Sequence, residues 1–260
     1  MGESTFEKNT GRTLTKVNER GIFNRDVIKY IAMLTMLLNH IANIFLEPGT
    51  ILCTVFLNLG YFTAPVMCYF LVEGYHYTHS KKKYAQRLAV FAVLSEIPYC
   101  LAFSQVYNGE KIISFCGFNM IFTLLLCFGM LYVNDHVKSH LSRGFLEIVL
   151  FCLSAFSDWA FLAPMLTLLF MWSRGDQKKT RNAFIIGAAV FAVLNFQFEG
   201  NLLCDAAWAL FSAVGILLAG IAVVYLYNGK RMASGKTFSK WFFYIFYPAH
   251  LLILGMIRIL

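Results

Sequence analysis

The stretch VIKYIAMLTMLLNHIANIFL, residues 27–46, decides the fold. It is apolar and long enough to cross a bilayer as one helix. Yet Lys29 stands at its start, and Asn39, His40 and Asn43 fall in its second half. Eleven helical steps of about 100° carry the chain from Lys29 to His40, which amounts to about three turns and a further 20°. The two side chains therefore share one face, about 16 Å apart along the axis. A cation at the membrane edge and an imidazole deep inside suggest a track from the cytosolic surface to a buried reaction centre. Polar groups inside a membrane are costly, and their default reading is functional. The plain alternative is a histidine that hydrogen-bonds a neighbouring helix.

Working outward, the whole chain has this character. Of its 260 residues, 58% are hydrophobic and only 14% charged, where a soluble domain carries about 25%. Further apolar runs cover about 51–74, 88–104, 118–134, 183–198, 206–227 and 241–260. Residues 1–26 are polar, mixed in charge and without an apolar core, which excludes a cleavable signal peptide and predicts a flexible cytosolic tail. Residues 27–260 then form one integral-membrane domain. The net charge of +8 invites a nucleic-acid reading. Its placement argues against one, because nearly all the charges sit in short connections between spans.

Residues 145–173 are too long for one ordinary span and short for two, with Ser157-Asp158-Trp159 in the middle. Cytosolic connections collect Lys and Arg. If this run is a short hairpin broken at Asp158, every Lys and Arg except Lys111 and Arg258 falls on one side. If it crosses once, the basic residues of 174–181 land outside. The expectation is therefore an all-α polytopic bundle of about nine spans, N-terminus in the cytosol and C-terminus outside. Short broken segments are tolerated where they line a cavity inside protein.

Small motifs add little. The seven cysteines include no C-x-x-C pair and read as apolar filler. Cys100 and Cys116 flank one outer loop at a separation that allows pairing. His76 and His79 lack the carboxylate or thiolate company of a metal site, so no metal is expected. No Gly-rich phosphate loop, G-x-S-x-G or internal repeat is present. The polar residues within spans say more: Glu73, Ser95 and Glu96, Asn119 and Thr123 on one helix face, Asp158, and Tyr244, Tyr247 and His250 around Pro248. Each alone could be interhelical glue. Glu96 reads as a buried acid paired with Arg87 or a lysine.

Four strings, TMLLNHIANI, FLVEGYHYTHSKKKYAQRLAVFAVLSEIPYCLAF, FNMIFTLLL and FYIFYPAHLLIL, resemble the TraX family in this order, over about residues 25–260. That resemblance implies a polytopic protein grouped with the membrane acyltransferases, with acetyl-CoA as acyl donor. The family's named member N-acetylates a pilin subunit. The Lys29-x10-His40 spacing also resembles the signature of the wider membrane acyltransferases, in which the histidine is catalytic and the basic residue serves CoA. Two departures stand out. Asn39 precedes His40 where the family commonly has aspartate, and Asp158-Trp159 stands where Asp-Tyr-Gly is expected.

Chemistry and resemblance agree. Acyl transfer from a thioester to an amine or hydroxyl needs a base, and histidine suits that role near neutral pH. His40 is assigned as base, helped by Asn39, Glu96, His250 and Tyr247. The tetrahedral intermediate needs donors for its oxyanion, open to Asn119, Tyr247 or Asn39. Lys29, Lys83 and Arg87 at the cytosolic mouth, with Glu73, Asn119 and Thr123, are assigned to the donor, and Asp158 and Asn43 to the acceptor. The acceptor is a peptide N-terminus, a glycan or a small molecule. The expected setting is a bacterial inner membrane, with lipid and acetyl-CoA as partners and no nucleic acid. A proton-coupled transporter and a non-enzymatic assembly protein of a secretion or conjugation apparatus remain as alternatives.

Overall fold

The computed structural model describes residues 21–197 and 202–260. Its elements in chain order are α1 (Arg25–Phe45), α2 (Ile51–Gly60), α3 (Thr63–Tyr77), α4 (Lys81–Asn108), α5 (Met120–His136), α6 (His140–Leu153), α7 (Leu162–Ser173), α8 (Gln177–Leu194), α9 (Leu202–Ser212), α10 (Val214–Ile221) and α11 (Lys236–Ile259). A single π turn, Ala222–Leu226, extends α10. Among the described residues extended pairing is limited to two isolated bridges, Phe23 with Tyr227 and Phe118 with Ser157.

Short polar side chains set where the helices begin. Asn24 accepts the Asp26 and Val27 N–H groups, both at 3.0 Å, and opens α1. Thr50, Ser80, Asn119, Ser139 and Asp176 cap α2, α4, α5, α6 and α8 in the same way. Each satisfies amides that the first helical turn leaves without partners. These caps extend helices past the apolar edges. Lys81, Lys82, Lys83 and Arg87, which read as a loop in the sequence, occupy the first turns of α4. Lys178, Lys179 and Arg181 do the same in α8. Lys and Arg are good helix formers, so the cap and not the hydropathy edge decides.

α1, the pair α2–α3, α4, the pair α9–α10 with its π turn, and α11 are long and apolar enough to cross a membrane. α5 and α7 are apolar but shorter. Val90, Val93, Leu94 and Ile97 stand exposed together along α4, an apolar face suited to lipid. The interior is aromatic: Phe70, Tyr75, Phe170 and Phe184 are fully buried.

The ambiguous run 145–173 is broken as expected. α6 ends at Leu153, a 3-10 turn covers Ser154–Phe156, and α7 begins at Leu162. Between them Trp159 and Phe161 take left-handed φ values of 57° and 58°, a conformation that costs a residue with a Cβ. Neighbouring backbone satisfies the freed polar groups. The Phe118 N–H donates to the Phe156 carbonyl at 2.8 Å and the Asp158 N–H to the Phe118 carbonyl at 2.8 Å. The Thr123 hydroxyl donates to the Asp158 carbonyl at 2.6 Å. A break inside a membrane protein survives only when its backbone finds such partners.

The N-terminal boundary differs from the sequence reading. Residues 1–20 lie outside the described residues, as does Glu199. Residues 21–26, however, are built into the fold. The Phe23 N–H donates to the Leu226 carbonyl and the Arg25 N–H to the Lys230 carbonyl, both at 2.9 Å. Asp26 is buried and accepts from the Ser239 hydroxyl at 2.6 Å and the Met232 N–H at 2.8 Å. The start of α1 is thereby tied to the 227–235 connection and to α11. At the same end of the bundle Lys81 pairs with Asp135 at 2.6 Å. At the opposite end Arg258 of α11 donates to the Leu101 carbonyl at 2.8 Å and the Ile112 carbonyl at 2.9 Å.

Candidate active site

His40 of α1 and His250 of α11 meet in the interior. His40 Nδ1 lies 2.8 Å from His250 Nε2. The rings are nearly parallel, at 10° and 5.0 Å between centroids. His250 Nδ1 is 2.8 Å from the Phe246 carbonyl oxygen. A carbonyl only accepts, so His250 Nδ1 carries a proton, and in the neutral ring its Nε2 accepts. His40 Nδ1 must then donate. The network thus assigns the His40 tautomer and leaves Nε2 as the nitrogen with the lone pair, to which no hydrogen bond is made among the described residues. The edge of Phe103 packs on His40, with centroids 5.2 Å apart at 87°. The sequence placed both histidines in the site, with Asn39 beside His40 as a helper and Asn43 assigned to the acceptor.

Those asparagines do other work. Asn39 Nδ2 donates to the Leu57 carbonyl on α2 at 3.0 Å, and Asn43 Nδ2 donates to Asn39 Oδ1 at 3.0 Å. Adjacent helical residues point about 100° apart, so Asn39 faces α2 while His40 faces α11. Gly60 is required at that contact: a Cβ there would lie 2.1 Å from the Asn39 Cβ. Asn39 is a clamp between α1 and α2 and points away from His40.

A cavity of about 390 Å³ opens near the start of α1. Arg25, Lys29, Arg87, Arg231 and Lys240 line it, with Asp26 the acid among them. Among the described residues no carboxylate oxygen lies within 4.0 Å of a Lys29, Arg87, Arg231 or Lys240 nitrogen. Lys29 rests instead on Phe243, its Nζ 4.9 Å from the ring centroid. Arg87 Nε is buried without a hydrogen-bond partner, and its guanidinium lies 5.5 Å from the Tyr84 ring centroid. Deeper in, the lining turns apolar and rich in methionine, with Met33, Met36, Met67, Met120 and Ile121. Tyr247 also lines the cavity. Its ring meets His250 edge to face, 5.8 Å between centroids. Its hydroxyl oxygen accepts the Met120 N–H, at the start of α5, at 3.2 Å. Tyr247 therefore joins the cavity to the histidine pair.

The remaining sequence candidates lie elsewhere. Lys83, one turn before Arg87 and nearer the end of the helix, is exposed and does not line the cavity. Glu73 accepts from the Tyr227 hydroxyl at 2.7 Å and lies 3.7 Å from Arg25 Nε, a partner of the mouth and not part of its lining. Glu96 pairs with neither Arg87 nor a lysine. Its Oε2 accepts from Asn119 Nδ2 at 2.6 Å. Asn119 also donates to the Ala92 carbonyl at 2.7 Å and caps α5. With those donors engaged, Asn119 joins α4 to α5 and has none left for an oxyanion. Thr123 and Asp158 form the hairpin break described above. The Asp158 carboxyl lies near Tyr99, Tyr107 and Tyr247.

Three cations of the cavity, Arg25, Arg231 and Lys240, escaped the sequence assignment. Their charge was legible, but their convergence depends on the Asp26 clasp across about 210 residues of chain.

Comparison with known proteins fits this architecture. A family model described as TraX protein matches residues 24–258. The "Probable fimbrial assembly protein FimC, serogroup H1" of Dichelobacter nodosus is 28% identical over 237 residues, which cover 89% of this chain and 94% of that protein. No solved structure matches the chain. The family match runs from the Asn24 cap to Arg258 in the last turn of α11, and the chain belongs to the TraX family.

Proposed function

We propose that this protein is a membrane-embedded acyltransferase that moves an acetyl group from cytosolic acetyl-CoA to an amine or hydroxyl of an acceptor. The observation that carries the proposal is the cavity: cationic at its mouth, apolar within, and joined by Tyr247 to a histidine with a free Nε2. CoA carries several phosphate charges, and Arg25, Lys29, Arg87, Arg231 and Lys240 supply cations suited to them. The methionine-lined depth suits a flexible, weakly polar pantetheine arm.

In this reading the acceptor nucleophile attacks the thioester carbonyl and His40 Nε2 takes its proton. His250 holds the His40 tautomer through the Nδ1 hydrogen bond. The Tyr247 hydroxyl accepts from Met120 N–H, so its own proton is free to meet the oxyanion. Collapse breaks the C–S bond, and the leaving thiolate recovers the proton from His40. α5, α6, α7 and α8 add four crossings to the five longer spans, for nine in all, with the cationic mouth in the cytosol. A bacterial inner membrane is the setting.

One observation favours a second reading, an assembly protein without catalysis: the relative's name describes fimbrial assembly. The two part on one experiment. Purified protein in detergent is given acetyl-CoA with candidate amines and hydroxyls, and CoA release is followed with and without His40→Ala. Acceptor-dependent release that the substitution removes supports the enzyme. Release that ignores His40 sinks it.

A further inference from the structure

We propose that Cys100 and Cys116 are a modification site: they form an intramolecular disulfide by exchange with a protein disulfide outside the cytosol. Cys100 lies in the second half of α4 and Cys116 in the connection 109–119, and both are free thiols. The two side chains are neighbours, each close enough to perturb the other electrostatically, and the hydrogen bond of Cys100 Sγ goes to Glu96 Oε1 at 3.7 Å. The contact does not depend on the missing bond. Arg258 donates to the Ile112 carbonyl at 2.9 Å, the Ser114 N–H to the Ser104 hydroxyl at 2.8 Å and Asn108 Nδ2 to the Phe115 carbonyl at 2.9 Å. These bonds hold the connection against the end of α4. A covalent link therefore needs little backbone movement, the usual obstacle to a disulfide. Cys116 is half-buried and open to a partner. The connection lies at the end of the bundle opposite the cationic mouth. With that mouth in the cytosol, as proposed above, the pair faces the compartment in which disulfides persist.

The exchange balances. The Cys116 thiolate attacks one sulfur of the partner disulfide, and one partner thiolate leaves. Cys100 then loses its proton and attacks the Cys116 sulfur, releasing the second partner thiolate. The two cysteine protons end on the two partner thiols. This chain loses two electrons, and the partner disulfide is reduced to a dithiol. Glu96, Tyr99 and Tyr107 of α4 also face Cys116. Burial and the adjacent Cys100 push the Cys116 thiol up to about 12. Thiolate is then scarce at neutral pH, and exchange accelerates about tenfold per pH unit. The product fixes the segment leading through Gly117 (φ 98°) to Asn119, the cap of α5. That is the helix start whose Met120 amide holds Tyr247.

The test uses the full chain. Purified protein in detergent is treated with glutathione disulfide, free thiols are alkylated, and peptides are mapped by mass. A Cys100–Cys116 cystine is expected, forming about tenfold faster at pH 8 than at pH 7, absent in C100S and in C116S, and unaffected by C152S. In cells, acid trapping before alkylation should find the pair oxidised, and reduced when extracytosolic thiol oxidation is disabled. Stable glutathione adducts without a cystine in vitro would overturn the geometry. A pair that alkylates fully after acid trapping from normal cells would overturn the modification. CoA release is not a readout here, so the acyltransferase reading stands or falls separately.

Discussion

His40 and His250 share one hydrogen bond and differ in what their second nitrogen touches. The Phe246 carbonyl fixes His250 and, through it, leaves the Nε2 lone pair to His40. That asymmetry assigns their roles. His40→Ala should lower acyl transfer by about 10²–10⁴-fold while CoA binding persists. His250→Ala should cost less, because His40 keeps its lone pair but loses the hydrogen bond that selects it. Turnover and CoA binding by both variants check this; a dead His250→Ala beside a near-normal His40→Ala would reverse the roles. Tyr247→Phe removes the hydroxyl proposed to meet the oxyanion while keeping the ring that packs on His250. Its turnover at saturating donor should fall by about 10²-fold with donor affinity kept.

At the scale of elements, two junctions hold the site in place. Asn119 caps α5 and binds both the Ala92 carbonyl and Glu96 of α4. Asn119→Ala should lower stability by about 0.5–2 kcal/mol for the cap, read as a fall in the unfolding midpoint in detergent. It should also lower turnover, because the start of α5 carries the amide that holds Tyr247. The other junction is α1 on α2. Gly60→Ala drives a methyl into the Asn39 side chain and should destabilise more than Asn39→Ala. Asn39→Ala loses one interhelical bond, worth about 0.6 kcal/mol in a membrane, and should leave turnover near normal. A large catalytic loss in Asn39→Ala would show that it acts on His40 after all.

Over the whole molecule, the placement of cations governs donor binding. Lys29→Ala, Arg87→Ala, Arg231→Ala and Lys240→Ala should each weaken CoA binding, by about 1.5–3 kcal/mol for a lost charge-assisted contact. Lys83→Ala should bind as the parent does, since Lys83 is exposed outside the cavity. Calorimetric titration with CoA distinguishes the two groups. The proposed nine-span arrangement should place residues 75–87, 135–144, 174–182 and 228–240 in the cytosol and 105–117 outside. Labelling of single introduced cysteines from each side checks it. Labelling of 174–182 from outside would remove one crossing and invert the compartments assigned to everything after Asp158.

The sequence by itself determined what local physics can determine. Long apolar runs with few charges require membrane helices, because a backbone in lipid must satisfy itself. The Asp158 break was legible because 145–173 is the wrong length for either alternative. Lys29 and His40 were placed on one face by helical period alone, and Lys29 does line the cavity, whereas His40 is not among its lining residues. What only the tertiary structure decided were the meetings between distant segments. His40 pairs with His250 across 210 positions of the chain, and Asp26 gathers Met232 and Ser239 so that Arg231 and Lys240 join the mouth. Asn39, Glu96, Asn119 and Thr123 have the side chains of a catalytic set but serve as fasteners between helices. A polar side chain in a membrane must find a partner whether or not it does chemistry. Its residue type therefore advertises the need for a partner, and the packing of the helices determines which partner it meets.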